Sequence, residues 1–155
     1  MKISIVAVGR LGRATEAALA RDYADRATAA GRSLALGPVQ IVEVEPRKPG
    51  REAEAQALLA AIPAGSHVIA CDERGKPLAS RALAAQLRAL RDRGVRQLVF
   101  LIGGADGLAD EARSTAAELL AFGPQTWPHA LVRAMLAEQV YRAVGILAGS
   151  PYHRD

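Results

Sequence analysis

Residues 97–108 read QLVFLIGGADGL. Five consecutive apolar residues follow one glutamine, and three glycines then fall within five positions. A short, unbroken apolar run closed by glycine is the pattern of a strand buried on both faces. The segment that follows, residues 108–117, has helix-forming composition, so the stretch reads as strand, tight turn, helix.

The same succession recurs on either side. Residues 2–8 (KISIVAV) are apolar at nearly every position and predict a first strand, broken by Gly9 and Gly12. Residues 14–30 are Ala-rich, with Leu19 and Tyr23 four apart, and predict a helix stopped by Gly31 and by Gly37-Pro38. Residues 39–44 (VQIVEV) alternate apolar and polar, the period of a second strand. A basic loop (PRKPG, 46–50) leads to a helix over 52–62, ended by Pro63 and Gly65. Residues 67–71 predict a third strand, 72–77 (DERGKP) a polar turn, and 79–93 a helix with Leu83, Leu87 and Leu90 on one face. Beyond the glycine turn, 119–122 predict a short fifth strand. Residues 129–148 predict a final helix whose apolar face is Leu131, Val132, Met135, Leu136, Val140, Val144 and Leu147. Strands alternating with helices imply βαβ units: one α/β domain over 1–155, a mostly parallel sheet with helices on both faces. Pattern alone predicts an unknotted chain, since knots are rare. Ligands of such sheets bind beyond the carboxyl ends of the strands, here near Gly9, Glu45, Cys71, Gly103 and Gly123.

Composition bounds the function. Half the residues are hydrophobic and 23% are charged, which is globular composition. No apolar run approaches the roughly 20 residues of a membrane helix, and the N-terminus lacks the pattern of a secretory signal. The expectation is a cytoplasmic protein with no membrane partner. Cys71 is the only cysteine, so neither an intrachain disulfide nor a Cys-based zinc site can form. In SHVIACD it reads as a buried structural thiol rather than a nucleophile. The net charge of +4 permits a polyanionic partner such as RNA without establishing one.

Four motifs carry candidate chemistry. IGGADG has the spacing of neither a dinucleotide fingerprint nor a P-loop; it is either a tight strand-to-helix turn or a ligand loop. Residues 122–128 (FGPQTWP) hold two prolines, a glycine and the only tryptophan. Such a rigid loop either serves structure, anchored by Trp127, or presents main-chain groups to the edge of an adenine. Glu138 and Arg142 are four apart in the favourable order for an ion pair. That pair is either solvated or turns Arg142 toward an anion. The terminal SPYHRD is either frayed or brings stacking, proton transfer and phosphate contact together in Tyr152, His153 and Arg154. No catalytic triad, paired carboxylates or metal-ligand cluster stands out.

Taken together, IGGADGL, WPHALVR, EQVYRA and SPYHRD resemble the RlmH (YbeA) family, the large-subunit ribosomal RNA methyltransferases of the SPOUT class. VAVG at the N-terminus and the GKP of residues 75–77 resemble it too. The resemblance covers the whole chain. It implies an S-adenosylmethionine-dependent enzyme that methylates N3 of a pseudouridine in 23S rRNA on the assembled ribosome. It also implies a homodimer and a C-terminal trefoil knot. Carried over, it assigns the cofactor to Cys71, Gly103 and the loop of Phe122, Gly123, Pro124, Gln125, Thr126 and Trp127. The mechanism that would follow has His153 or His129 accept the N3 proton, directly or through water, Tyr152 contact the base, and Arg133, Arg142 and Arg154 hold phosphates or stabilise charge. The chain departs from the family pattern at Cys71, where an aliphatic residue is usual, and at Gly123-Pro124-Gln125. A tRNA methyltransferase of the same class and a non-enzymatic nucleotide- or ribosome-binding module are the competing readings.

Overall fold

The structure is a computed structural model and describes residues 1–153. Five strands form one sheet in the order β2-β1-β4-β3-β5, every neighbouring pair parallel. The strands are β1 (Lys2–Val8), β2 (Val39–Val44), β3 (His67–Pro77), β4 (Gln97–Ile102) and β5 (Glu118–Ala121). Between and after them run α1 (Thr15–Gly31), α2 (Arg51–Ala60), α3 (Ser80–Asp92), α4 (Asp110–Thr115) and α5 (His129–Leu147).

The two-residue period of a strand sorts β1 between two cores. Ile3, Ile5 and Ala7 face one helical layer with Ile69, Leu98, Phe100 and Ile102, under residues of α1, α3 and α5. Val6 and Val8 face the other with Val68, Ala70, Val99 and Leu101, under Ala55 and Leu58 of α2 and Ala112 of α4. The continuous apolar runs of the sequence therefore mean burial on both faces. Leu98 to Leu101 are fully buried, and each large side chain of this kind contributes about 1.5–3 kcal/mol through removal from water.

α1 buries a stripe of small residues, Ala17, Ala20, Ala24 and Ala27, at helical spacing. Leu19 stands on the outer side at 43% exposure. Small residues let α1 lie close against α5, whose buried face is Arg133, Ala134, Leu136, Ala137, Val140, Ala143, Val144 and Gly145. Leu131, Val132, Met135 and Leu147 are only half buried, so the expected apolar face of α5 is rotated from the observed one.

The third strand also differs from expectation. Residues 72–77 are not a free turn: β3 continues through them. Cys71 and Lys76 both register with Leu120 of β5, and Pro77 pairs with Ala121. Residues 72–75 thus leave the sheet and return to it beside the same strand. At the return, a Cβ on Gly75 would lie 2.6–2.7 Å from backbone atoms of Leu119 and Leu120. Two backbones touch there, and only glycine leaves room for both.

Candidate functional site

A cleft of about 760 Å³ opens beyond the carboxyl ends of β3, β4 and β5. Ile102, Leu120 and Val132 give it apolar surface, with Cys71 beside them; the glycine turn (103–107) forms one wall, and Phe122, Gly123, Gln125, Thr126 and Trp127 the other. The arrangement puts Cys71, Gly103, most of the 122–127 loop and His129 around one volume. Pro124 belongs to the same loop but is not part of the lining.

Each wall is held by local chemistry. The Trp127 indole N–H donates to the Phe122 carbonyl at 3.1 Å and ties the loop into a ring. In the glycine turn, a Cβ on Gly103 would sit 2.8–2.9 Å from the backbone of Gly107. That glycine is needed for the turn to close on itself. The Gly104 N–H donates to Glu54 Oε2 at 3.3 Å, which docks the turn on α2.

Below the turn, Asp72 accepts from Arg113 Nε at 2.8 Å and from the Arg74 N–H at 2.9 Å. Desolvation pushes this carboxyl up, but the hydrogen bonds from Arg74 and Arg113 outweigh it and hold it below the ordinary value. Burial first, and the Asp72 charge second, push the Cys71 thiol up to about 12. The thiol is half-buried rather than fully buried as expected, but it stays protonated and packs at the cleft floor rather than serving as a nucleophile. Iodoacetamide at about pH 8 is expected to label native Cys71 much more slowly than the denatured chain; equal rates for the two, read by mass spectrometry, contradict this.

The other predicted site residues gather elsewhere. Arg142 donates through Nε (2.9 Å) and Nη2 (2.5 Å) to Glu138 Oε1, the ion pair expected from their spacing. Tyr152 donates its hydroxyl to the same oxygen at 3.0 Å. Its ring stands 4.6 Å from that of Tyr141, and the Arg142 guanidinium lies 4.6 Å from its centroid. Burial, then hydrogen bonds with Tyr23 and Glu138, push the Tyr152 phenol well above its ordinary range, so it remains a donor. His153 Nδ1 is 3.5 Å from Arg142 Nη1. Through Tyr152 and His153 the tail is laid back on α5 rather than frayed, and neither residue lines the cleft. Arg154 lies outside the described residues.

Glu138 instead lines a second groove with Leu19, Tyr23, Leu78, Leu131 and Met135. This groove shares Leu120, Ala121, Phe122 and Gly123 with the cleft, so the two meet along β5 and its following loop.

Arg133 does not stand where a substrate phosphate would need it. It is 1% exposed; Nη1 donates to Glu43 Oε1 at 2.6 Å and Nη2 to the carbonyls of Val8 and Gly9 at 3.0 Å. Glu43 Oε1 also accepts the Leu11 N–H at 3.1 Å. The pair joins α5 to the loop after β1, a structural task in place of the substrate contact expected from the sequence. Glu43, the other half of that pair, carries no motif that singles it out in the sequence. Among the described residues, no group of three or more His, Cys, Asp or Glu could hold a metal ion.

A parallel α/β sheet with a glycine turn and a rigid proline loop around a cleft at its carboxyl edge is an architecture suited to a nucleotide-like ligand. Comparison gives the family. The model described as "Predicted SPOUT methyltransferase" matches residues 1–153, and the chain belongs to that family. Proteins named ribosomal RNA large subunit methyltransferase H are similar over the full length of both chains. Those of Caulobacter sp. (strain K31) and Phenylobacterium zucineum (strain HLK1) are 68% and 66% identical over 155 residues, each covering 100% of both chains. Among solved structures, a probable methyltransferase from Bordetella pertussis Tohama I shares the fold. Its TM-score is 0.56 at 17% identity, covering 92% of this chain and 96% of that one.

Proposed function

We propose that this protein transfers a methyl group from S-adenosylmethionine to large-subunit ribosomal RNA, at N3 of a pseudouridine. The observation that carries the reading is the cleft, in a chain 68% identical to a protein named for that class of reaction. The residues fit the cofactor. The apolar floor suits an adenine face, and the ring closed by Trp127 and Phe122 offers main-chain groups to its edge. The acidic and basic side chains at the mouth, Glu73, Arg74, Asp106 and Arg51, suit the charged amino-acid end.

The bound cofactor supplies an already activated methyl group; the protein's work is alignment and removal of one proton. Methylation at N3 would require the proton there to pass to a base. His129 lines the cleft and is one acceptor. His153 is the other, delivered from a partner subunit. The second groove supports a homodimer, because it is apolar, carries exposed Leu19 and Leu78, and touches the cleft along residues 120–123. In such a dimer the tail of one subunit, with Tyr152, His153 and Arg154, completes the cleft of the other. The family implies a C-terminal trefoil knot for the chain. A ribosomal substrate and the absence, among described residues, of any helix long and apolar enough to cross a membrane agree with a cytoplasmic location.

The test is transfer of labelled methyl to ribosomes from a strain lacking this modification, with mass spectrometry to locate it. Methyl on a pseudouridine of 23S rRNA is expected. Deleting residues 150–155 is expected to lower turnover at least about 100-fold, with cofactor binding and a two-chain mass by light scattering both retained. Cofactor binding without incorporation into ribosomes rejects the substrate; incorporation into tRNA instead selects the alternative.

A further inference from the structure

One charged patch lies beside the cleft and apart from the second groove. The loops after β1 (9–14) and β2 (45–50) stand side by side at the carboxyl edge of the sheet. Gly9 N–H donates to the Val44 carbonyl at 2.9 Å, and Arg10 Nε lies 3.4 Å from Glu45 Oε2. Between them, and at the first residue of α2, these loops present Arg10, Arg13, Arg47, Lys48 and Arg51, all exposed. Glu45 is the acidic residue within the same loops; Glu16 and Glu52 follow on α1 and α2, and Glu54 is turned to the Gly104 N–H. Arg13, Arg47 and Lys48 have no carboxylate partner among the described residues.

The patch is built rather than loose. Pro46 and Pro49 stiffen the second loop. The first is tied at Val8, Gly9 and Leu11 by the pair of buried Arg133 and partly buried Glu43. The patch also runs into the cleft: Arg51 lines it, and Arg51 Nη2 donates to the Leu108 carbonyl at 2.7 Å, at the end of the glycine turn.

We propose that this rim is the docking surface for the phosphate backbone of the ribosomal RNA, with Arg13, Arg47 and Lys48 as its phosphate contacts. The inference rests on the function proposed above and adds where the RNA lies: across β1 and β2, approaching the cleft over the glycine turn. A point charge on a stiff loop contacts phosphate without reading sequence, so the rim supplies affinity and register. The tail and cleft are left to choose the base.

The test compares two triple charge reversals of equal net charge. One is Arg13→Glu, Arg47→Glu and Lys48→Glu. The control is Arg88→Glu, Arg93→Glu and Arg96→Glu, all exposed; Arg96 adjoins the amino end of β1, where Lys2 N–H donates to its carbonyl. Binding to 70S ribosomes is measured directly over a salt series, without chemistry, and S-adenosylmethionine affinity is measured alongside. Each lost phosphate contact lowers the slope of log K against log salt by about 0.7–0.9. The rim variant is expected to lose a slope of about 2 and to bind at least roughly 10-fold more weakly near physiological salt. Its cofactor affinity and methyl transfer at saturating ribosomes stay unchanged. An unchanged slope, or an equal loss in the control, overturns the rim while leaving methyl transfer intact. Wild-type protein that neither binds ribosomes nor methylates them overturns the functional reading, and the rim with it.

Discussion

Replacing Arg133 by methionine is expected to lower stability by about 3 kcal/mol and the melting temperature by roughly 6–12 °C. Arg133 is among the largest fully buried side chains of the protein. Burial lowers its pKa and Glu43 raises it; burial wins, yet an arginine stays charged throughout the working range. Methionine fills much of the volume and removes the desolvated charge, which favours the variant. It also strips donors from the Val8 and Gly9 carbonyls and leaves the partly buried Glu43 carboxylate without its guanidinium, and these losses dominate. Glu43→Gln leaves the opposite orphan, a guanidinium with no anion, and is expected to cost at least as much. The double variant should be less damaged than the sum of the two, because neither orphan remains. A double-mutant cycle in urea measures this. A melting point within about 2 °C of wild type for Arg133→Met, or strictly additive losses, removes the structural role assigned to the pair.

That pair marks where the sequence holds more than its apolar pattern. Residues 133, 136, 137, 140 and 144 carry the spacing of one buried helical stripe, and all five are buried. An arginine in that register is itself the mark of a buried ion pair, whereas a face drawn through Leu131 and Met135 follows side-chain size. α1 makes the same point: Ala17, Ala20, Ala24 and Ala27 hold the register, and the larger Leu19 does not. Strand identity is easier to read. β1 and β4 are apolar without alternation, and both are buried on two faces between helical layers.

What the sequence hides is whatever depends on contacts distant along the chain. Residues 72–77 have the composition of a turn, and only their meeting with β5 makes them part of a strand. The cleft residues are legible because glycine and proline mark their loops locally. The tail is not: the Tyr152 ring packs at a tilt against Tyr141, and the Arg26 guanidinium lies 4.5 Å from the Tyr141 ring centroid. Helical periodicity says nothing about a contact between residues 26 and 141. The same holds for the separation of the cleft residues from Arg142, Tyr152 and His153, which gather on α5.

β5 also sets the second large effect. Gly75→Ala is expected to cost about 3 kcal/mol, at the upper end for overpacking, or to prevent folding altogether. The added carbon would meet Leu119 and Leu120 backbone atoms at 2.6–2.7 Å, and backbone within a paired strand cannot step aside as a side chain tip can. Gly145→Ala is the contrast. It lies in α5, its Cβ would meet Ser150 Cβ at an ordinary 3.7 Å, and a gain of up to about 1 kcal/mol is expected from helix propensity. The two variants differ by the same single methyl group, so a difference between them reports surroundings alone. Gly75→Ala should also weaken S-adenosylmethionine binding by about 10-fold where it folds at all. The strand it displaces continues into Ala121, Phe122 and Gly123, which line the cleft, and about 1.4 kcal/mol of misplacement is a factor of ten. Equal melting points for the two variants would mean that residues 72–75 yield freely and that β5 is not gripped between them. A destabilised Gly75→Ala with undiminished cofactor affinity would keep the grip but separate it from the cleft.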